Sequence, residues 1–506
     1  MSKTKKTVLN AIVSALKTAF VAIIALVMGR YVLTYLGSDY NGINATSNQI
    51  VSIMTILEGD FSTASLTALF EPLNKKDYKT VNGILSYSNH SFKKIGLSML
   101  LSSVVLLLIY VPTVKTQLDR SVLYVVFFIS ILSTIIKVGI GNKYYLLVRT
   151  EQKEYISTLF ELLAIVIFRT LSIVVLMKTR NIIFFRMMFL AESISICLMM
   201  WLYVKKNYRN INYNEKEIVK VNGTKDLFIS KIVSAVYSSA TVMFLSSASG
   251  AVYTSIYDVY NSIILGVKQI VYVAVYAPMN AFGKLFVEKD RGQVYKIFVE
   301  YELLIMFIAS VVITTVCVVS KPFVLLYTDG VNDINYNNAY IPILLCLIAI
   351  TELLHIPSGI CINMTRNFED SRKIQSITCV SLLVADLIGS SLFGFYGILL
   401  ATLFVNVFLA SLEISYTRKK IFQTDFKLFL KHLLTNLVVT VFSTFEFDIC
   451  DKYINSYLSF FIVGFIMISI NSSISFFINY LVNREYTVSL IQRFSGGLKK
   501  YFAKKA

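Results

Sequence analysis

Residues 12–51 read IVSALKTAFVAIIALVMGRYVLTYLGSDYNGINATSNQIV, and the pattern returns 220 positions later. Ile12-Val13-Ser14-Ala15 falls on Ile232-Val233-Ser234-Ala235. Val32 and Thr34 fall on Val252 and Thr254. Tyr40-Asn41-x-Ile43 falls on Tyr260-Asn261-x-Ile263, and Gln49-Ile50-Val51 on Gln269-Ile270-Val271. Twelve of these forty positions are identical without a gap. Self-similarity at a fixed offset marks a duplicated architecture. Each copy opens with an apolar run, so what is duplicated is a set of membrane helices.

The composition agrees. Of 506 residues, 56% are hydrophobic and only 15% charged, against roughly 25% charged in soluble domains. Mean hydropathy is +0.66. A soluble globular chain and a disordered one are both excluded, because neither hides so much apolar surface in water. A bilayer crossing takes about 20 mostly apolar residues. Fourteen such segments can be drawn: 9–30, 41–66, 91–113, 121–142, 155–177, 181–204, 227–249, 253–283, 297–320, 340–363, 374–394, 396–416, 426–445 and 456–482. The first follows Lys3, Lys5 and Lys6 as a signal peptide would. It is too long and lacks a small-residue cleavage pattern, so it reads as a retained span.

Charge tests the count. The formal net charge is +18. With the N-terminus in the cytoplasm and fourteen crossings, 33 of the 48 Lys and Arg fall on the inner side. The outer side holds only seven: Arg30, Lys115, Arg120, Lys178, Arg180, Lys321 and Lys452. That is the positive-inside asymmetry, with both termini cytoplasmic. One missed or added span would invert it downstream. The 220-residue offset crosses an even number of helices, so the two halves run parallel. The expected organisation is a six-helix bundle at 1–204 and a basic cytoplasmic linker at 205–226. A second six-helix bundle follows at 227–416, then two extra helices at 417–482 and a basic tail at 483–506. Parallel halves of this kind form transporters with a substrate site between them. The tail alternates Ile491, Phe494, Leu498 and Phe502 with Arg493, Lys499 and Lys500, which suits either an interfacial helix or a frayed end.

Two stretches resemble a known family. Arg30 precedes Leu36-Gly37-Ser38-Asp39-Tyr40-Asn41-Gly42, similar to the L-G-x-x-x-x-G stretch of Wzx-type polysaccharide-unit flippases. Leu57-Glu58-Gly59, Thr63-Ala64, Phe70-Glu71-Pro72-Leu73 and Asp77-Tyr78 are similar to the E-x-G-x-x-x-A…Y-x-P-L…D-Y run of Gram-positive members. The chain departs from that run at Asp60-Phe61-Ser62 and at Glu71. The resemblance implies the multidrug/oligosaccharidyl-lipid/polysaccharide exporter superfamily, an all-α membrane fold, and no enzyme activity. It implies a multi-pass protein of the bacterial plasma membrane. Its substrate would be an oligosaccharide on undecaprenyl pyrophosphate, flipped from the inner to the outer leaflet for capsule, exopolysaccharide or O-antigen assembly. Membrane lipids, a polymerase and glycosyltransferases are the implied partners, and no nucleic acid is.

Such a substrate carries about two negative charges through a low-dielectric layer, so the path needs polar, cationic walls. A cation inside a span costs about 2.5–3.5 kcal/mol on insertion scales and asks for a reason. Lys17 shares a helix face with Asn10 and Ser14, and either meets phosphate or pairs with Glu58 at similar depth. Lys137 and Lys268 have no carboxylate in their own hairpins. Arg169 has Glu192 as a hairpin partner, Arg30 ends the first span at the outer face, and Arg186 reads as interfacial. Glu58, Asp60 and Asp258 are candidates for a coupling proton or sodium ion, with Glu352 and Asp386 behind them. The alternative for these acids is counter-ion duty. His355 lies one turn from Glu352, as a relay or a polar contact.

No metal or cofactor pattern is present. The six Cys have no paired spacing and read as small buried hydrophobes. The lack of a phosphate-binding loop, and of any loop large enough for a nucleotide domain, counts against an ATP-driven pump. A lipid II flippase, a drug exporter, a major-facilitator-type sugar transporter and a membrane polymerase are the rivals. The longest outer loop, 321–339, has Asp329 and Asp333 but no Arg, which counts against the polymerase.

Overall fold

The computed structural model describes residues 3–58, 61–215, 219, 225–276, 279, 282, 285–286 and 290–503. Every regular element among them is helical. Eleven helices among the described residues are long and apolar enough to cross a membrane, and one bent pair makes up to twelve. The chain is a multi-pass membrane protein. Its helical content occupies every expected segment over the described residues. One of the eleven, Phe368–Phe422, turns back at Gly394 (φ 57°) and holds the expected segments 374–394 and 396–416 in succession. Segment 41–66 differs most from expectation. It is interrupted by a 3-10 turn at Ile56–Glu58, and its Asn and Ser content keeps it below the hydropathy of a span.

The chain divides into two compact units, Met1–Ile256 with Gly330–Ile334, and Tyr257–Asp329 with Asn335–Ala506. The first holds α1 (Lys3–Leu36), α2 (Ser38–Thr55), α3 (Phe61–Asn74), α4 (Tyr78–Tyr110), α5 (Arg120–Ile136) and α6 (Asn142–Thr150). It continues with α7 (Glu154–Thr179), α8 (Ile182–Asn207), α9 (Lys225–Phe244) and the first turn of α10 (Ala251–Tyr276). Two helix starts are fixed by a capping side chain. Asp77 accepts from Thr80 N–H at 3.1 Å to open α4. Asn181 accepts from Ile183 N–H at 2.8 Å to open α8. These bonds satisfy donors that a helix start leaves orphaned. α7 packs lengthwise on α1 and α8. A π turn, Lys137–Gly141, joins α5 to α6.

The start of α2 is capped from far along the chain. Asp333 accepts from the Ser38 hydroxyl at 2.7 Å and from the Ser38 N–H. Gly37, with φ 94°, makes the turn, and a Cβ there would sit 2.9 Å from Asp333 Oδ2. Only glycine adopts that backbone freely.

The second unit holds the rest of α10, α11 (Arg291–Ile308), α12 (Thr314–Tyr327), α13 (Tyr340–Met364) and α14 (Phe368–Tyr416). It closes with α15 (Lys427–Phe442), α16 (Phe447–Tyr453), α17 (Tyr457–Val482) and α18 (Arg484–Ala503). The fold-back in α14 is tight: a Cβ on Gly389 would lie 2.4 Å from the Gly397 carbonyl oxygen. A buried polar ladder attaches α15 and α17. Asn479 donates to Asn436 at 3.0 Å, Asn471 donates to Thr315 at 3.1 Å and to Glu446 at 3.0 Å, and Ser310 donates to Asn436 at 3.2 Å. Between apolar helices in lipid, such bonds supply a specificity that hydrophobic burial does not. The tail is helical through Ala503, and Ser489 and Arg493 both reach Glu300 of α11, at 2.6 and 2.7 Å. All six cysteines are buried and free.

Candidate functional site

Polar side chains gather inside the first unit. Two cavities, of about 380 and 280 Å³, share Glu58, Lys137 and Asn142 in their walls. The smaller is lined also by Lys17, Ser62, Tyr145, Arg149 and Glu161. The larger adds Asn48, Ser130, Arg169, Arg186 and Glu192 among others.

Glu161 is the hub of the smaller cavity. It lies on α7, which is why α1 and the π turn can both present a lysine to it. Lys17 Nζ donates to one carboxylate oxygen, and Lys137 Nζ lies 3.3 Å from the other. The Tyr145 hydroxyl donates to that second oxygen at 2.8 Å. The lysine side chains keep 31% and 42% of their surface exposed, whereas Glu161 keeps 10%. One buried carboxylate is therefore shared by two cations that still face the cavity. Lys137 opens the π turn and Asn142 follows it. Such turns recur at functional sites because they re-aim side chains within a helix.

The larger cavity is built on α8. Arg169 donates to Glu192 at 2.6 and 3.3 Å and lies 3.6 Å over the Phe189 ring. Arg186 is 2% exposed. It donates to the Asn44 carbonyl at 2.9 Å and to Asn48 Oδ1 at 3.4 Å. Five cations line the joined cavities, Lys17, Lys137, Arg149, Arg169 and Arg186, against three carboxylates, Glu58, Glu161 and Glu192. The surplus is positive.

Several expectations change. Lys17 pairs with Glu161 and not with Glu58, because α1 runs along α7. Glu58 instead accepts from the Ser62 hydroxyl across the 3-10 break. Arg186 is not interfacial. Asn44 and Asn48 of α2, which lower its hydropathy, are what hold it. Lys268 lies in the second unit, 8% exposed and paired with Glu352, which also accepts from Tyr272. His355 meets Glu413 at 2.9 Å, so no relay to Glu352 forms. Asp386 is 0% exposed, and neither carboxylate oxygen has a hydrogen-bond partner among the described residues, so it is no counter-ion. Arg30 lines neither cavity, and Asp258 sits half-buried on α10 in the second unit. Asp60 lies outside the described residues. Glu161 and Arg149 were missed. The sequence signal for Glu161 was an acid eight positions before Arg169 in an otherwise apolar span.

No protein-family model matches the chain, and no curated protein matches it in sequence. Solved structures do match. The chain superposes on the lipid II flippase MurJ, inward closed, with a TM-score of 0.63 at 16% identity, over 93% of this chain and 98% of that one. The fold is that of the MOP-superfamily transporters. An inward-facing multidrug resistance MATE transporter of that superfamily gives a TM-score of 0.62 at 13% identity, over 79% of this chain and 94% of that one. The outward-facing form gives 0.53 at 13% identity, over 83% and 96%.

Proposed function

We propose that this protein is a secondary transporter that flips a lipid-linked, phosphate-bearing oligosaccharide, of the undecaprenyl-pyrophosphate class, from the inner to the outer leaflet. The observation that carries the reading is the cavity of the first unit, with five cations against three carboxylates. Exposed ammonium groups inside an apolar bundle are costly unless an anion uses them. Lys17 and Lys137 supply charge to phosphate oxygens, and Arg169 and Arg186 present planar donors with the same preference. The Ser, Thr and Asn side chains of the larger cavity suit sugar hydroxyls. Glu161 keeps the two lysines charged and oriented when no substrate is bound. Glu58, which has a hydroxyl partner and no ion pair among the described residues, is the proposed carrier of a coupling proton or sodium ion. Asp60 and Asp258 are the further candidates.

The coverage of the lipid II flippase, over 93% of this chain against 79% and 83% for the two drug transporters, supports a lipid-linked substrate over a small drug. It also keeps lipid II itself as the second reading. Deleting the gene is expected to make lipid-linked oligosaccharide accumulate in the inner leaflet, with surface polymer lost. Unchanged export would overturn the flippase reading, and arrested peptidoglycan synthesis in its place would favour lipid II. Collapsing the proton and sodium gradients is expected to stop flipping in vesicles; flipping without a gradient would remove Glu58 from the mechanism.

A further inference from the structure

Lys143 is a cation with no carboxylate partner among the described residues. It opens α6 at the end that the charge asymmetry assigns to the cytoplasm. It is half-buried, donates to Asn89 Oδ1 at 3.0 Å, and lies 5.0 and 5.4 Å from the ring centres of Tyr144 and Tyr213. Close helix packing puts a second cation near it. α4 and the π turn cross at Gly96 and Gly139, where a Cβ on Gly96 would lie 3.3 Å from the Gly139 Cα. One turn inward from that crossing stands Lys93 on α4 and Lys143 on α6. Neither lysine has an acidic partner among the described residues. Two like charges held together with one half-buried raise each other's cost.

The third wall is a piece of the linker. Residues 208–215 run along α4, pinned by Asn82, Ser86 and Asn89 at i, i+4 and i+7. Asn212 N–H donates to Asn82 Oδ1 at 2.9 Å, Glu215 N–H to Ser86 Oγ at 2.7 Å, and Asn89 Nδ2 to the Tyr213 carbonyl at 3.2 Å. This strap sets Tyr213 edge-on to Tyr144, 5.4 Å between ring centres, with its ring against Lys143. An ammonium with two donors unused among the described residues and a second ammonium stand on one side of α4 and α6, at the level where inner-leaflet headgroups lie.

We infer that Lys93 and Lys143, walled by the Tyr213 ring, form a binding site for the phosphate of an anionic phospholipid in the inner leaflet, separate from the cavity between α1, α5, α7 and α8. The occupant is a lipid and not a free anion, because Lys93 is exposed on the outward face of a membrane helix. Occupancy would fasten the strap to α4.

The test is native mass spectrometry of the full-length protein, with phosphatidylglycerol and phosphatidylcholine as probes. The wild type is expected to retain phosphatidylglycerol at least tenfold over phosphatidylcholine. Lys143→Gln and Lys93→Gln are expected to lose most of that preference, Lys143→Arg to keep it, and Lys205→Gln to leave it unchanged as the control for diffuse charge. Lys93→Gln, at an exposed position, serves if Lys143→Gln does not fold. Equal retention by the wild type and both Lys143→Gln and Lys93→Gln would overturn the site. Displacement of the lipid by millimolar inorganic phosphate would overturn the lipid as occupant.

Discussion

In the first unit one carboxylate faces two ammonium groups; in the second, Arg418 and Glu302 face each other with side chains 0% and 2% exposed. Both are charge clusters inside a helical bundle. They differ in stoichiometry and wetness. Arg418 has a one-to-one partner, a Tyr295 hydroxyl at 2.7 Å, and aromatic rings of Tyr295, Phe298 and Phe429 around it. Among the described residues only its Nε lacks a hydrogen-bond partner, and that atom is buried. Around Glu161 the charges do not cancel, and the lysines keep 31% and 42% of their surface open. A closed pair fastens helices, whereas an unbalanced, open one is poised for an anion.

Removing one member of the closed pair should do the most harm to stability. Glu302→Ala leaves a buried, unpaired guanidinium and is expected to cost about 3–5 kcal/mol, read as lost folded protein and a lower Tm in detergent. Replacing both, Arg418→Met with Glu302→Leu, is expected to recover most of it. Were the single change nearly silent, the contrast between the clusters would fall.

Packing sets the next tier, and it should treat both units alike. Gly42→Ala would drive a Cβ to 1.7 Å from the Ala251 carbonyl oxygen, and Gly389→Ala one to 2.4 Å from that of Gly397. Each is expected to cost about 1–3 kcal/mol, checked by the same melts. A large effect in one unit only would mean that the units differ in rigidity rather than in charge design.

The open cluster should behave in the opposite way to the closed one. Lys17→Ala with Lys137→Ala is expected to cost no more than about 1 kcal/mol of stability per residue, since half-exposed pairs are screened. Export is expected to fall at least tenfold with the protein still in the membrane. A stability loss matching that of Glu302→Ala would make Glu161 a fastener too. At the small end, Lys75→Ala breaks a fully exposed i, i+4 pair with Glu71 at 2.6 Å, and is expected to leave both Tm and export unchanged.

Most of the helical plan was legible because its signals are one-dimensional. Apolar length survives without contacts. The pair Arg169–Glu192 was legible for the same reason, as a hairpin relates its two arms by simple counting. Lys17–Glu161 was not, because 144 residues separate the partners and no local rule says that α1 lies along α7. Arg186 was misplaced by depth counting: its position near a helix end said surface, while Asn44 and Asn48 on another helix had already made it a buried berth. Segment 41–66 showed its weakness as polar content, and the structure gives that content a use.

Asp333 puts a constraint on the order of assembly. The cap of α2 comes from 295 residues downstream, so the first helical hairpin leaves the ribosome with its turn unfinished. Until residue 333 has been made and carried to the outer side, Ser38 offers its amide and hydroxyl to water or lipid headgroups instead. The N-terminal bundle thus reaches its final form only after the chain beyond it has been threaded. A fragment ending before residue 330 would insert in the membrane but carry a frayed α2, the same helix that holds Arg186.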